Sequence, residues 1–129
     1  MFTLICGRCR AGKTTYSKIY QNVIHLDDVS RSGKERYPKV KELVSEHLAA
    51  DDVVVEGIYE TAAIRKELLS VCKQSPKQCI WLDTPVDIIQ SRTGYNFVIP
   101  KHFEPPTLDE GWDEITIIQG DKIITEVIT

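Results

Sequence analysis

No stretch of this sequence approaches the roughly 18 consecutive apolar residues that a membrane-spanning helix needs. Basic residues are lacking ahead of the apolar start Met1-Phe2-Thr3-Leu4-Ile5-Cys6, so a cleaved export signal is not expected. Internal repeats and low-complexity tracts are also missing, which sets aside repeat arrays and long linkers. Cysteine is scarce, with only positions 6, 9, 72 and 79. Cys6-x-x-Cys9 has the spacing of a redox dithiol, and a second pair invites zinc. Cys72 and Cys79 are seven apart, however, which suits a zinc knuckle poorly. Four reduced thiols in a cytoplasmic protein are the expectation. A basic excess is lacking too: the net charge of −3 argues against a general nucleic-acid binder.

What is present is an ordinary globular composition, 42% hydrophobic and 27% charged, in 129 residues. That length predicts one domain, 1–129, large enough to hold its own core. Charge is unevenly spread. Residues 1–50 carry nine Lys/Arg against five acids, net +4, and the remainder carries net −7. Anionic ligands are drawn to the first half.

Short β-rich runs alternate with helical spacing. Phe2–Cys6, Val23–Leu26, Asp52–Glu56 and Gln78–Leu82 read as buried strands. Lys13–Tyr20, Val40–Leu48 and Thr61–Lys73 read as helices. A further helix runs from Thr84-Pro85 to about Arg92, with Thr84 as cap, Pro85 first and Asp87 third. Ser30–Pro38, polar and holding Gly33, reads as a loop, and 93–106, with Gly94 and three prolines, as an irregular lid. Ile115–Ile118 and Ile123–Val127 flank Gly120-Asp121 and predict a late strand or hairpin. The alternation predicts an α/β fold of three layers, a parallel central sheet between helices. Ligands of such sheets sit at the carboxyl ends of the strands. Gly7, Asp27, Glu56 and Asp83 all fall at those ends, so they are expected on one side of the molecule.

Gly7-Arg8-Cys9-Arg10-Ala11-Gly12-Lys13-Thr14 matches G-x-x-x-x-G-K-[ST] throughout. Glycine lets the backbone curl until successive N–H groups face inward as an anion nest. Lys13 is spaced to reach the β- and γ-phosphates of ATP, and the Thr14 hydroxyl to ligate Mg²⁺. Thr15, opening the helix, completes the expected nucleotide-binding set Gly7–Thr15. The motif follows a strand and opens a helix, the context its chemistry requires.

On the acceptor side, Asp27 and Asp28 follow the second strand. A carboxylate there accepts the proton of an attacking hydroxyl or holds Mg²⁺ through water. Arg31 is placed to grip an acceptor phosphate. Glu56, closing Val53-Val54-Val55, is a candidate for positioning metal-bound water or the acceptor. Arg92 is a candidate for reaching the transferred phosphoryl group.

Three features together resemble the P-loop kinases of the zeta-toxin/polynucleotide kinase branch: the phosphate loop, Leu26-Asp27-Asp28, and Leu82-Asp83-Thr84-Pro85 followed by Arg92. Pro106-Thr107-Leu108-Asp109-Glu110-Gly111-Trp112 is a fourth. It is similar to a P-x-L-x-E-G-aromatic signature frequent in kinases of nucleic-acid 5′-hydroxyls. The resemblance implies a nucleoside-monophosphate-kinase-like fold, ATP with Mg²⁺, a base aspartate (Asp27), an acceptor clamp (Arg31) and a lid arginine (Arg92). Departures exist. The Asp-x-x-Arg spacing fits Asp28 and Arg31, leaving the base open between Asp27 and Asp28, and position 96 is Asn where a second lid arginine is expected. The expectation is a kinase of an acceptor hydroxyl, first of all a nucleic-acid 5′ end. A nucleoside, a small metabolite, a hydroxymethylated DNA base, or an ATPase without acceptor are the alternatives.

Overall fold

The computed structural model describes residues 1–94 and 102–127. Six strands, β1 (Phe2–Gly7), β2 (Val23–His25), β3 (Val53–Glu56), β4 (Lys77–Leu82), β5 (Glu114–Gln119) and β6 (Lys122–Val127), form one sheet in the order β2-β3-β1-β4-β5-β6. β1 to β5 run parallel, and only β6 turns back, antiparallel to β5. Four helices cover the sheet: α1 (Lys13–Ser17), α2 (Gly33–Leu48), α3 (Ala62–Leu69) and α4 (Val86–Thr93).

β1 is apolar at almost every position because both of its faces are covered. Phe2, Leu4 and Cys6 pack with Val53, Val55, Val40, Val44, Leu68 and Trp112 on the side of α2 and α3. Ile5 points the other way, into a smaller cluster with Val54, Ile80, Leu82 and Ile89 beside α4. The period-two alternation of a strand thus divides one short sequence between two cores.

The structure departs from the sequence reading at several element ends. The loop read over 30–38 is helical from Gly33 onward, with Pro38 inside α2. A proline there cannot donate to the carbonyl four residues back, a cost of about 3 kcal/mol in a helix interior. Packing offsets it: Val40 and Val44 are fully buried, each burial contributing about 1.5–3 kcal/mol. The Tyr37 ring also meets Tyr59 edge-on at 5.3 Å. α1 stops at Ser17, where a helix to Tyr20 is read, and Asn22 turns the chain with φ 55. α3 ends at Leu69 rather than Lys73. α4 begins at Val86, and Thr84 does not cap it; its hydroxyl donates instead to the Ala11 carbonyl at 2.7 Å. Residues 95–101 of the lid segment lie outside the described residues, and at its far end Phe103 and Pro106 are buried. The hairpin forms around Gly120-Asp121, Gly120 taking the left-handed φ of 65 that such a turn favours.

Candidate functional site

The segment after β1 is a curled loop. Arg10 and Gly12 adopt left-handed conformations, φ 60 and 103, and the Ala11 N–H donates to the Arg8 carbonyl at 3.1 Å. Alternating backbone hand turns neighbouring amides to one side, which makes an anion cradle without any side chain. α1, only five residues long, adds less than a full-length helix. Gly7 is needed for a steric reason, since a Cβ there would stand 2.7 Å from the Leu82 carbonyl oxygen, a backbone atom that cannot yield. Gly7→Ala is therefore expected to lower stability by about 1–3 kcal/mol and to weaken nucleotide affinity with it. Thermal melts with and without ATP measure both, and an unchanged melt would show the loop is laxer than this.

Lys13 is 7% exposed, and its ammonium donates to the Arg8 carbonyl at 2.6 Å. Burial lowers its pKa, and the nearby Glu56 carboxylate opposes that shift. A polyphosphate beside it would relieve the same desolvation. Arg92 reaches back from the end of α4. Its Nη1 lies 3.8 Å from the point where a Cβ on Gly12 would stand, so the guanidinium covers the loop's second glycine. Both cations border a cavity of ≈ 900 Å³. The loop from Cys9 to Tyr16, Asp27, Glu56, Ile58, Leu82 and Thr93 complete its wall.

Glu56 reaches the site through sheet register. It sits opposite Ile5 of β1 and His25 of β2. Although it is buried, the Thr14 hydroxyl donates to its Oε1 at 2.8 Å, and His25 Nδ1 lies 3.9 Å from Oε2. A hydroxyl beside a carboxylate at the mouth of a phosphate cradle is an all-oxygen donor set, which suits Mg²⁺. Among the described residues no three His, Cys, Asp or Glu side chains cluster. A cation here would therefore take its remaining ligands from the nucleotide and water.

Asp27 and Asp28 share the short 3-10 turn Leu26–Asp28 after β2, and only Asp27 lines the cavity. Arg31, read as an acceptor clamp, is exposed and off the cavity wall. Arg36 stands near Asp27 in its place: its Nη1 is 3.5 Å from Asp27 Oδ1, and its Nε donates to the Ser30 carbonyl at 2.9 Å. Sequence spacing misses Arg36 because the pairing depends on α2 starting at Gly33. Arg8 follows Gly7 at the start of the loop. Its side chain turns out of the cradle, 3.9 Å from Asp83 Oδ1 and 5.8 Å from the centre of the Phe103 ring. Its contribution to the cradle is its carbonyl, which anchors Lys13. Asp83, itself held by Gln119 at 2.9 Å, serves this outer contact and not the cavity.

The Pro106–Trp112 signature also lies away from the cavity. Glu110 accepts from Arg65 Nε at 2.7 Å and Nη2 at 2.9 Å, and from the Trp112 indole at 3.2 Å. With Thr107 it closes a capping box around the turn Leu108–Glu110. Arg65 passes the restraint on, donating to the Tyr59 carbonyl at 2.7 Å. Tyr59 holds a left-handed φ of 43, three residues beyond Glu56. The signature is thus a buried latch that fixes the strand-end loop beside the site. All four cysteines are free, and the thiols of Cys6 and Cys79 touch at 3.6 Å inside the sheet.

Searched against protein-family models and curated proteins, the chain matches none. Solved structures do match. A Chaetomium thermophilum Kti12 in complex with ADP-AlF3 is similar at TM-score 0.65 and 15% identity, over 94% of this chain and 90% of that one. An unliganded sugar kinase from Janibacter sp. HTCC2649 is similar at TM-score 0.60 and 14% identity, over 92% and 84%. A gluconokinase from Sinorhizobium meliloti 1021 is similar at TM-score 0.59 and 14% identity, over 93% and 82%. The fold is shared with these structures, six mostly parallel strands between flanking helices in the P-loop NTPase arrangement. Among the described residues no helix is long and apolar enough to cross a membrane.

Proposed function

We propose that this single domain is an ATP-dependent kinase moving the γ-phosphoryl group of ATP to an acceptor hydroxyl, with the 5′-hydroxyl of a nucleic acid as the acceptor to test first. The reading is carried by one convergence. A buried lysine, an arginine over the loop glycine, a hydroxyl–carboxylate pair and Asp27 all face the same cavity.

The parts divide the work as follows. Backbone amides of the curled loop bind the phosphates, and Lys13 and Arg92 stand where charge gathers on the transferred group. Thr14 and Glu56 would hold Mg²⁺, which when bound neutralises phosphate charge. Asp27 accepts the acceptor's proton as the new P–O bond forms and ADP leaves. Arg36 orients Asp27 and meets an anionic acceptor.

Support for a nucleic-acid end comes from the Pro106–Trp112 likeness and the basic first half of the chain. A second reading, a small polyhydroxyl acceptor, is favoured by the likeness in fold to a sugar kinase and a gluconokinase. Radiolabelled ATP offered with 5′-hydroxyl DNA, 5′-hydroxyl RNA, nucleosides and sugars decides between them. Label on none of these acceptors, with ATP still hydrolysed, would sink the acceptor reading. Asp27→Asn is expected to lower kcat about 10²–10⁴-fold, and Asp28→Asn to change it little. Equal losses in the two variants would move the base.

A further inference from the structure

β6 is one of the two edge strands of the sheet, and all six of its residues are exposed. Three are large and apolar: Ile123, Ile124 and Val127, at 67%, 40% and 57% exposure. An edge of this kind offers a row of backbone donors and acceptors as well as side chains.

Its pattern is self-complementary. A two-residue turn makes Gln119 and Lys122 a hydrogen-bonded pair. From there the alternation of an antiparallel ladder directs the backbone groups of Lys122, Ile124 and Glu126 toward β5, and those of Ile123 and Thr125 to the open edge. Lay a second β6 antiparallel against the first, with the two-fold axis at Ile124. Ile123 then exchanges both backbone bonds with the second copy's Thr125, and the reverse. Ile124 meets Ile124, and Lys122 stands across from Glu126 twice. Shifting the axis to Thr125 sets Ile124 against Glu126 and loses both charge pairs. Ile124 also lies beside Ile117, which packs on the larger core, so the paired isoleucines extend an existing apolar surface.

We propose that β6 is a self-association edge, joining two copies of this chain by antiparallel β6–β6 pairing centred on Ile124 into one continuous sheet. Both cavities then lie away from the junction, each within its own copy.

Sedimentation of the whole chain over a wide concentration range tests this, with four variants. The wild type is expected to show a concentration-dependent dimer. Lys122→Glu and Glu126→Lys alone each create two like-charge contacts and should weaken it about tenfold or more. Mixing the two variants restores opposite charges at both contacts and should restore the dimer. Thr125→Pro removes an outward donor, a replacement an edge strand tolerates, and should leave a folded monomer by circular dichroism. Ile19→Ser, at an exposed apolar position on another face, should not alter association. A monomer at all concentrations overturns the proposal. So does a dimer indifferent to the charge swaps or the proline.

Discussion

Lys13→Ala is expected to abolish phosphoryl transfer, lowering kcat/KM by about 10³-fold or more, while the protein stays folded. The size follows from position. A preorganised cation at developing phosphoryl charge, itself buried, contributes more than any exposed pair. Lys13 is held by the Arg8 carbonyl before any nucleotide arrives, so little reorganisation is needed at the moment of transfer. Folding should survive because burial already disfavours the charged form of Lys13 in the free protein. Lys13→Met, which keeps the volume and discards the charge, separates packing from electrostatics. It should match the alanine variant in rate and exceed it in melting temperature. Initial rates with radiolabelled ATP, beside calorimetric thermal unfolding, give both quantities. Retained turnover in either variant would end the case for the loop.

Glu110→Ala is expected to cost about 3–5 kcal/mol of stability, because it strands the guanidinium of Arg65 in the core. Arg65 is fully buried, and the side chain it would lose supplies two of its hydrogen bonds. Replacing both partners, Arg65→Met with Glu110→Leu, should recover much of the loss, since no charge then stays unpaired. Chemical denaturation measures each step. The double variant should still melt cooperatively yet lose activity, because nothing then ties the Tyr59 carbonyl and the loop that follows Glu56. If the single variant is as stable as the parent, the latch is ornamental.

The same pair sets a pH dependence. Burial pushes the Glu110 pKa up, but the hydrogen bonds and charge of Arg65, with help from Trp112 and Thr107, outweigh it, and the net shift is down from 4.5. A carboxylate with a depressed folded-state pKa stabilises the fold fully above its ordinary value. That stability drains away as pH falls below about 4.5 toward the folded-state value. Acid titration of stability should show this loss in the parent, and a shallower slope in Glu110→Gln.

Particular residues show which features a sequence gives away. The phosphate cradle was legible because its requirements are local: glycines for the curl, a lysine and a threonine at fixed offsets. Asp27 was legible as a strand-end acid, though not separable from Asp28 until the 3-10 turn set one into the cavity and left the other outside. Arg31 misled, since a spacing rule presumes a backbone path, and α2 begins early enough to bring Arg36 forward instead. That early start was itself hidden, because Gly33 and Pro38 argue for a loop while the decisive contacts, Val40 and Val44 on β3, lie far along the chain. Glu110 shows a different gap: the motif that holds it was legible, but its partner in the core, Arg65, was not.

By itself, then, the order of residues determined the alternation of strands and helices, the anion-binding curl and the general chemistry of the strand ends. Each of these rests on interactions within a few residues. Only the tertiary structure decided that Glu56 meets Thr14, that Arg36 faces Asp27, that Arg8 turns outward and that the late glutamate closes a core latch. Those pairings join residues 9 to 75 positions apart, through sheet register and helix packing, and no local spacing carries that information.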